Sequence, residues 1–96
     1  MRGNRVAVDV SLFSYLAEAT GGQRRLCVEG RTVRQALSDL ARRYPALAAR
    51  LWDADGSLSP ALAVHLTGRA LARPDPLETP LAEGDEIVLL PVVTGG

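Results

Sequence analysis

The 96-residue chain balances 11 basic against 11 acidic residues, with 47% hydrophobic and 23% charged side chains, the proportions of one ordinary globular domain. Balanced charge argues against a nucleic-acid binder. No apolar run approaches the roughly 20 residues that span a bilayer, and the N-terminus does not read as a signal peptide. A lone cysteine, Cys27, excludes an internal disulfide, so a cytoplasmic protein without a membrane partner is expected.

Residues 5–10 alternate, with Val6, Val8 and Val10 on one face and Ala7 and Asp9 on the other, which predicts a half-buried strand. The segment 11–19 reads as a strand end followed by a helical turn, and Gly21-Gly22 forces the chain round. Residues 23–29 then read as a second strand, completing an antiparallel hairpin with an elaborated loop. Thr32 caps a helix and Gln35, three residues on, supplies the partner of a capping box. Val33, Ala36, Leu37, Leu40, Ala41 and Tyr44 follow at helical spacing until Pro45 ends or resets the helix. Leu47, Ala48, Leu51 and Trp52 form a second short helical stripe, closed by a turn at 53–56.

Ala61 to Leu66 predict a third strand. Gly68 and the Pro74-Asp75-Pro76 stretch mark an irregular connection, and Glu83-Gly84-Asp85 a turn. Ile87 to Leu90 are a nearly continuous apolar run, suited to a central strand, with Pro91 weakening its last pairing. The order β-β-α-β-β predicts an α+β fold, a mixed sheet packed on one main helix. The β-grasp, or ubiquitin-like, fold has this order. One domain over residues 1–91 and a flexible tail over 92–96 are expected.

The chain offers no conventional catalytic cluster. His65 is the only histidine and Cys27 the only cysteine, so no zinc site of ordinary ligand spacing can be drawn, and no metal is expected. Cys27 lies opposite the apolar face of its strand and His65 sits mid-strand. Thr20-Gly-Gly22 lacks the downstream Gly and Lys of a phosphate loop. Charge is unevenly spread. Residues 1–50 hold nine Arg against Asp9, Glu18, Glu29 and Asp39, a net of +5, while residues 74–96 hold five acids and no Arg. Acidic residues ahead of the tail can steer it toward a basic partner. All 11 basic residues are Arg, and Lys is absent.

What stands out is the ending. Two terminal glycines arise by chance about once in 200 chains at Gly's usual frequency of about 7%. Here Gly95-Gly96 follow a strong apolar strand through Pro91 to Thr94. Such a tail is a slender probe able to enter a channel where any Cβ would clash.

The last sixteen residues, Leu81-Ala-Glu-Gly-Asp-Glu-Ile-Val-Leu-Leu-Pro-Val-Val-Thr-Gly-Gly96, resemble the ending of the ThiS/MoaD sulfur carriers: a Gly-Asp turn, an apolar strand, Pro, and Gly-Gly. Thr20 to Gln23 and the helix from Thr32 to Tyr44 are similar to the CysO branch of that family. Residues 67–80 are longer and richer in Pro than the short MoaD pattern. The resemblance implies the β-grasp fold and a protein that is a cosubstrate rather than an enzyme. It implies that a ubiquitin-activating-type enzyme uses ATP and Mg²⁺ to adenylate the Gly96 carboxylate, and that a sulfur donor then leaves a thiocarboxylate there. A second, sulfur-accepting biosynthetic enzyme would consume that sulfur. The chain itself would bind no cofactor.

On this view Gly96 carries the sulfur, Gly95 keeps the approach thin, and Val92, Val93 and Thr94 enter the partner's active site as an added extended strand. An apolar patch beside the tail should meet the partner, with Leu90 and Phe13 as candidates: Leu90 alternates away from the core contacts of its strand, and Phe13 falls off the Val6/Val8/Val10/Leu12 face. Three other readings remain open: the small subunit of molybdopterin synthase, a ubiquitin-like protein modifier, and a plain interaction domain with an incidental Gly-Gly.

Overall fold

The alternation at the start of the chain makes a strand that runs two residues further than its Val pattern, because Leu12 continues the buried face. In the computed structural model, which describes residues 6–13, 15–66 and 76–91, β1 spans Ala7–Leu12 and is followed by the helical turn α1, Tyr15–Glu18. Then come β2 (Arg25–Glu29), α2 (Val33–Arg43), α3 (Pro45–Leu51) and β3 (Leu62–Leu66). A 3₁₀ turn at Pro76–Glu78 leads into β4, Glu86–Pro91. The predicted tail at 92–96 lies outside the described residues.

The sheet order is β2-β1-β4-β3. The outer pairs are antiparallel and the central pair, β1 with β4, is parallel. This is the mixed sheet of the β-grasp, and β4 is central, as its continuous apolar run predicted. One face is the core. Val8, Val10, Leu12, Val28, Leu62, Leu66, Ile87 and Leu89 point into it, against Val33, Ala36, Leu37, Leu40 and Ala41 of α2. Leu47 and Leu51 of α3 and Leu16 of α1 close its ends. Each fully buried Leu of this kind stabilises the fold by about 2 kcal/mol.

Helix α2 begins as the sequence indicates, with one difference. The Thr32 hydroxyl accepts from the Gln35 N–H at 3.2 Å, but the Gln35 side chain reaches past Thr32 to accept from the Arg31 N–H at 2.9 Å. Both bonds satisfy donors the chain would otherwise leave open at the helix start. A Thr32→Ala change should lower stability by about 1 kcal/mol, read as a shift in the urea midpoint at unchanged slope.

Pro45 sits at the first turn of α3, where its missing N–H is no loss, so the chain resets rather than stops. In the turn that follows, the Asp55 carboxylate accepts from the Ser57 hydroxyl at 2.6 Å and from its N–H at 3.1 Å. These bonds hold the Asp55 carboxyl below the usual carboxylate range.

The outer edge of β2 is covered by its own helix. Asp39, 8% exposed, accepts from the Glu29 N–H at 3.2 Å, and Arg43 donates to the Cys27 carbonyl at 3.0 Å. Arg42 and Arg43 both pair with Asp39, the latter at 2.9 Å. An edge strand is otherwise a template for pairing with another chain. Asp39→Ala should cost about 2 kcal/mol by leaving a strand N–H without its acceptor, measurable in urea, and should raise self-association in sedimentation.

Candidate functional site

The strand registers fix which side chains share the sheet's open face, the one turned away from α2. Residues pair as Asp9 with Cys27 and with Glu86, Ser11 with Arg25 and with Val88, His65 with Val88, and Ala63 with Leu90. One step beyond the last parallel pair, Leu12 with Leu89, Phe13 comes level with Leu90. The open face is therefore built in rows. The row where β4 ends holds Phe13, Leu90 and Ala63. The next holds Arg25, Ser11, Val88 and His65, and the next Cys27, Asp9 and Glu86.

The rows grade from apolar to acidic. Phe13 is 43% exposed, the one large hydrophobic side chain left exposed among the described residues, and Leu90, Val88 and Ala63 are half-buried. Farther along, Arg25 pairs with Asp9 at 3.2 Å and with Glu86 at 3.8 Å, and the Ser11 hydroxyl donates to Glu86. Glu83 and Asp85 cap the turn beyond: Glu83 accepts from the Ala7 N–H at 3.1 Å and Asp85 from the Ala82 N–H at 2.9 Å.

The two patch candidates, Leu90 and Phe13, are thus brought together at the end of the sheet from which residue 92 departs. The acids that precede the tail in sequence are not: Glu86 lies four residues up β4 from Leu90, about 13 Å away at strand rise. Nearness to the tail in sequence placed them wrongly, because the strand carries them to the opposite end. Val88, Ala63 and His65 join the patch and were not singled out by sequence; alternation marked their face, but only the β3–β4 register shows them as neighbours. Gly96 and residues 92–95 lie outside the described residues.

The other marked residues resolve into structure. Cys27 is exposed on the open face. The Thr20 hydroxyl, buried, lies 2.9 Å from the Ala17 carbonyl and 2.7 Å from the Gln23 carbonyl, its one proton shared between these acceptors. Gly21 and Gly22 have φ of 73° and 92°, which the turn requires. Gln23 donates to the Tyr44 hydroxyl at 3.3 Å, tying this turn to the end of α2. A groove of about 560 Å³ lies between the end of β2 and α2, lined by Glu29, Arg31, Arg34, Gln35, Asp39 and Arg42 among others. Arg34 pairs there with Glu78 at 3.1 Å and Arg42 with Asp39. The groove lies at the far end of the sheet from the tail. Among the described residues no group of three or more His, Cys, Asp or Glu could hold a metal, and no helix is long and apolar enough to cross a membrane.

The sequence profile of the ThiS family matches residues 10–96. The chain belongs to the ThiS family. Its relatives in this family are small sulfur carriers and modifiers. The sulfur carrier protein CysO of Mycobacterium tuberculosis is 32% identical over 91 residues, covering 93% of this chain and 98% of that one. The small archaeal modifier protein 1 of Haloferax volcanii is 40% identical over 87 residues, covering 88% and 95%. Its crystal structure superposes with a TM-score of 0.78 at 36% identity, covering 94% of this chain and 99% of that one. The crystal structure of the BexX/CysO complex from Amycolatopsis orientalis contains a chain with a TM-score of 0.79 at 29% identity, covering 93% and 99%. That CysO forms a complex with another protein, and the ThiS-family chain described here shares its β-grasp.

Proposed function

We propose that this chain is a sulfur carrier whose Gly96 carboxylate is adenylated by a ubiquitin-activating-type enzyme and converted to a thiocarboxylate, which donates sulfur in the biosynthesis of cysteine or another sulfur-containing metabolite. The observation that supports this most is that the match to a family containing sulfur carriers runs through residue 96.

The chemistry divides between this chain and its partners. Adenylation with ATP and Mg²⁺, both held by the activating enzyme, makes an inert carboxylate electrophilic. A sulfur donor then attacks the carbonyl carbon and AMP leaves. The chain's own contribution is placement. The β4 strand, fixed on both sides by β1 and β3, gives residues 92–96 a rigid base. Val92, Val93 and Thr94 pair with the partner's backbone in extended form, and Gly95 passes where a side chain would clash. Binding the tail in a closed site supplies proximity and excludes free sulfide.

Phe13 and Leu90 dock beside the tail. Replacing Leu90 by Asp, or Phe13 by Ser, should raise the KM of the activating enzyme about tenfold, a hot-spot loss. Both changes touch the open face, so the thermal midpoint should move little. An unchanged KM for both variants would remove the patch from the reading.

The direct test is intact mass after incubation with ATP, a sulfur source and the cognate activating enzyme. One oxygen should be replaced by sulfur, at Gly96. An unchanged mass with an enzyme shown to be active would overturn the proposal. A second reading, protein modification, is supported by the 40% identity to small archaeal modifier protein 1. It predicts higher-mass conjugates on a blot that vanish without Gly96. A stable complex with the large subunit of molybdopterin synthase, without sulfur delivery to a cysteine synthase, would instead favour the molybdopterin branch.

A further inference from the structure

Positive charge is concentrated along one side of the molecule. Residues 23–51 carry seven arginines against two acids, Glu29 and Asp39, a net of +5. Three of those arginines, Arg31, Arg34 and Arg42, line the groove of about 560 Å³ between the end of β2 and α2. Arg34, Ser38 and Arg42 follow at intervals of one helical turn, so they share one face of α2, and all three line the groove. Arg34 and Arg42 stand about 12 Å apart along the helix axis.

Both of these arginines can turn to a ligand at little cost. Arg34 pairs with Glu78 at 3.1 Å, but the two side chains are 44% and 55% exposed, and an ion pair that open is a weak one. Arg42 pairs with Asp39, yet its own side chain is 78% exposed. Asp39 keeps Arg43 and the Glu29 N–H as partners when Arg42 leaves it. A guanidinium presents its N–H donors as a planar fork that matches the two oxygens of a carboxylate.

We propose that this groove binds an acidic, extended segment of a partner protein. Charge complementarity selects an anion, and spacing selects its form. In an extended chain, side chains four residues apart point the same way and stand about 13 Å apart, close to the separation of Arg34 and Arg42. Two carboxylates so placed meet the two guanidiniums, with neutral residues between them beside Ser38. Glu29, exposed in the groove lining, disfavours a nucleic-acid strand, which would set a phosphate against it at every unit. The groove lies where β1 begins, and β4 ends at the opposite end of the sheet. A partner can therefore hold the groove and the Pro91 end together. The proposal does not depend on the chemistry at Gly96.

The probe is the peptide acetyl-Glu-Ser-Thr-Ser-Glu-Ser-Thr-Ser-Glu-amide, titrated into the full chain at low salt and followed by backbone amide shifts. Saturable shifts should centre on Arg31, Arg34, Ser38 and Arg42, with a Kd of about 1 mM. The same peptide with Gln in place of Glu should not bind. Arg34→Gln combined with Arg42→Gln should weaken binding about tenfold or more. Arg24→Gln combined with Arg50→Gln removes the same charge outside the groove and should change binding less than about twofold. Thermal midpoints of both double variants separate lost binding from lost folding, and the shift map on the parent chain needs no variant. The proposal is overturned if the two double variants weaken binding equally, or if the Gln peptide binds as well. It is also overturned if an oligothymidylate binds the same residues more tightly, or if no saturable shifts appear at about 10 mM peptide.

Discussion

Deleting Gly96 should abolish sulfur loading while the protein melts where its parent does. The tail is expected to present its carboxylate to an adenylating site, and removing one residue withdraws it by about 3.3 Å. Misplacement by about 1 Å already costs about a hundredfold in a reaction that depends on alignment. Loading measured by intact mass should therefore fall at least about a hundredfold. The fold should not notice, because the core ends with Ile87 and Leu89, both fully buried, well before the tail. Normal loading by the shortened chain would mean that chemistry is not installed at Gly96.

The largest effect on stability is expected at Gly30, which substitution by alanine should damage severely. Gly30 is not among the glycines with positive φ, so conformational freedom is not its purpose. A Cβ there would stand 2.8 Å from the Ala36 Cα and the Gln35 carbonyl carbon, both backbone atoms of α2, with the Ala36 nitrogen closer still. Helix backbone cannot swing aside as a flexible side chain can. Gly30→Ala should cost about 3 kcal/mol, lowering the thermal midpoint by about 15 °C in a domain of this size. Gly56→Ala makes the contrast: nothing lies within 4 Å of its Cβ and its cost comes from its φ of 85° alone. If Gly30→Ala melts like the parent, α2 does not pack this closely on the end of β2.

Those two glycines show what the sequence could and could not reveal. The helix from Thr32 and the four strands were legible because periodicity, capping and turn residues are local signals. The central place of β4 was legible because Val88 and Leu90, on the open face, are apolar like Ile87 and Leu89 on the core face, so the strand has no polar alternation to mark it as a solvated edge. Gly30 looked like any glycine between a strand and a helix. Its need arises from a close approach of two backbones, which no local pattern encodes. The functional face divides in the same way. Alternation isolated Phe13 and Leu90 one at a time. Only the register shows that Ala63, Val88 and His65 complete their patch, and that Glu83, Asp85 and Glu86 stand at the other end.

The position of β4 has a consequence for how the protein comes into being. Among the described residues it is the last strand made, yet it lies between β1 and β3 and pairs with both. During synthesis the hairpin and helices can emerge and collapse, but the sheet stays in two unconnected parts until residue 91 has left the ribosome. The β1–β4 pairing joins residues 77 positions apart, Asp9 with Glu86 for one, and contacts of such long sequence separation carry a high loop-closure cost. The strand that completes the sheet is also the one that carries the glycine tail. A chain cut short before Glu86 would lose its tail and the strand that joins the sheet together, so a partner that demands both a folded face and a terminal glycine would be offered no molecule that lacks this strand.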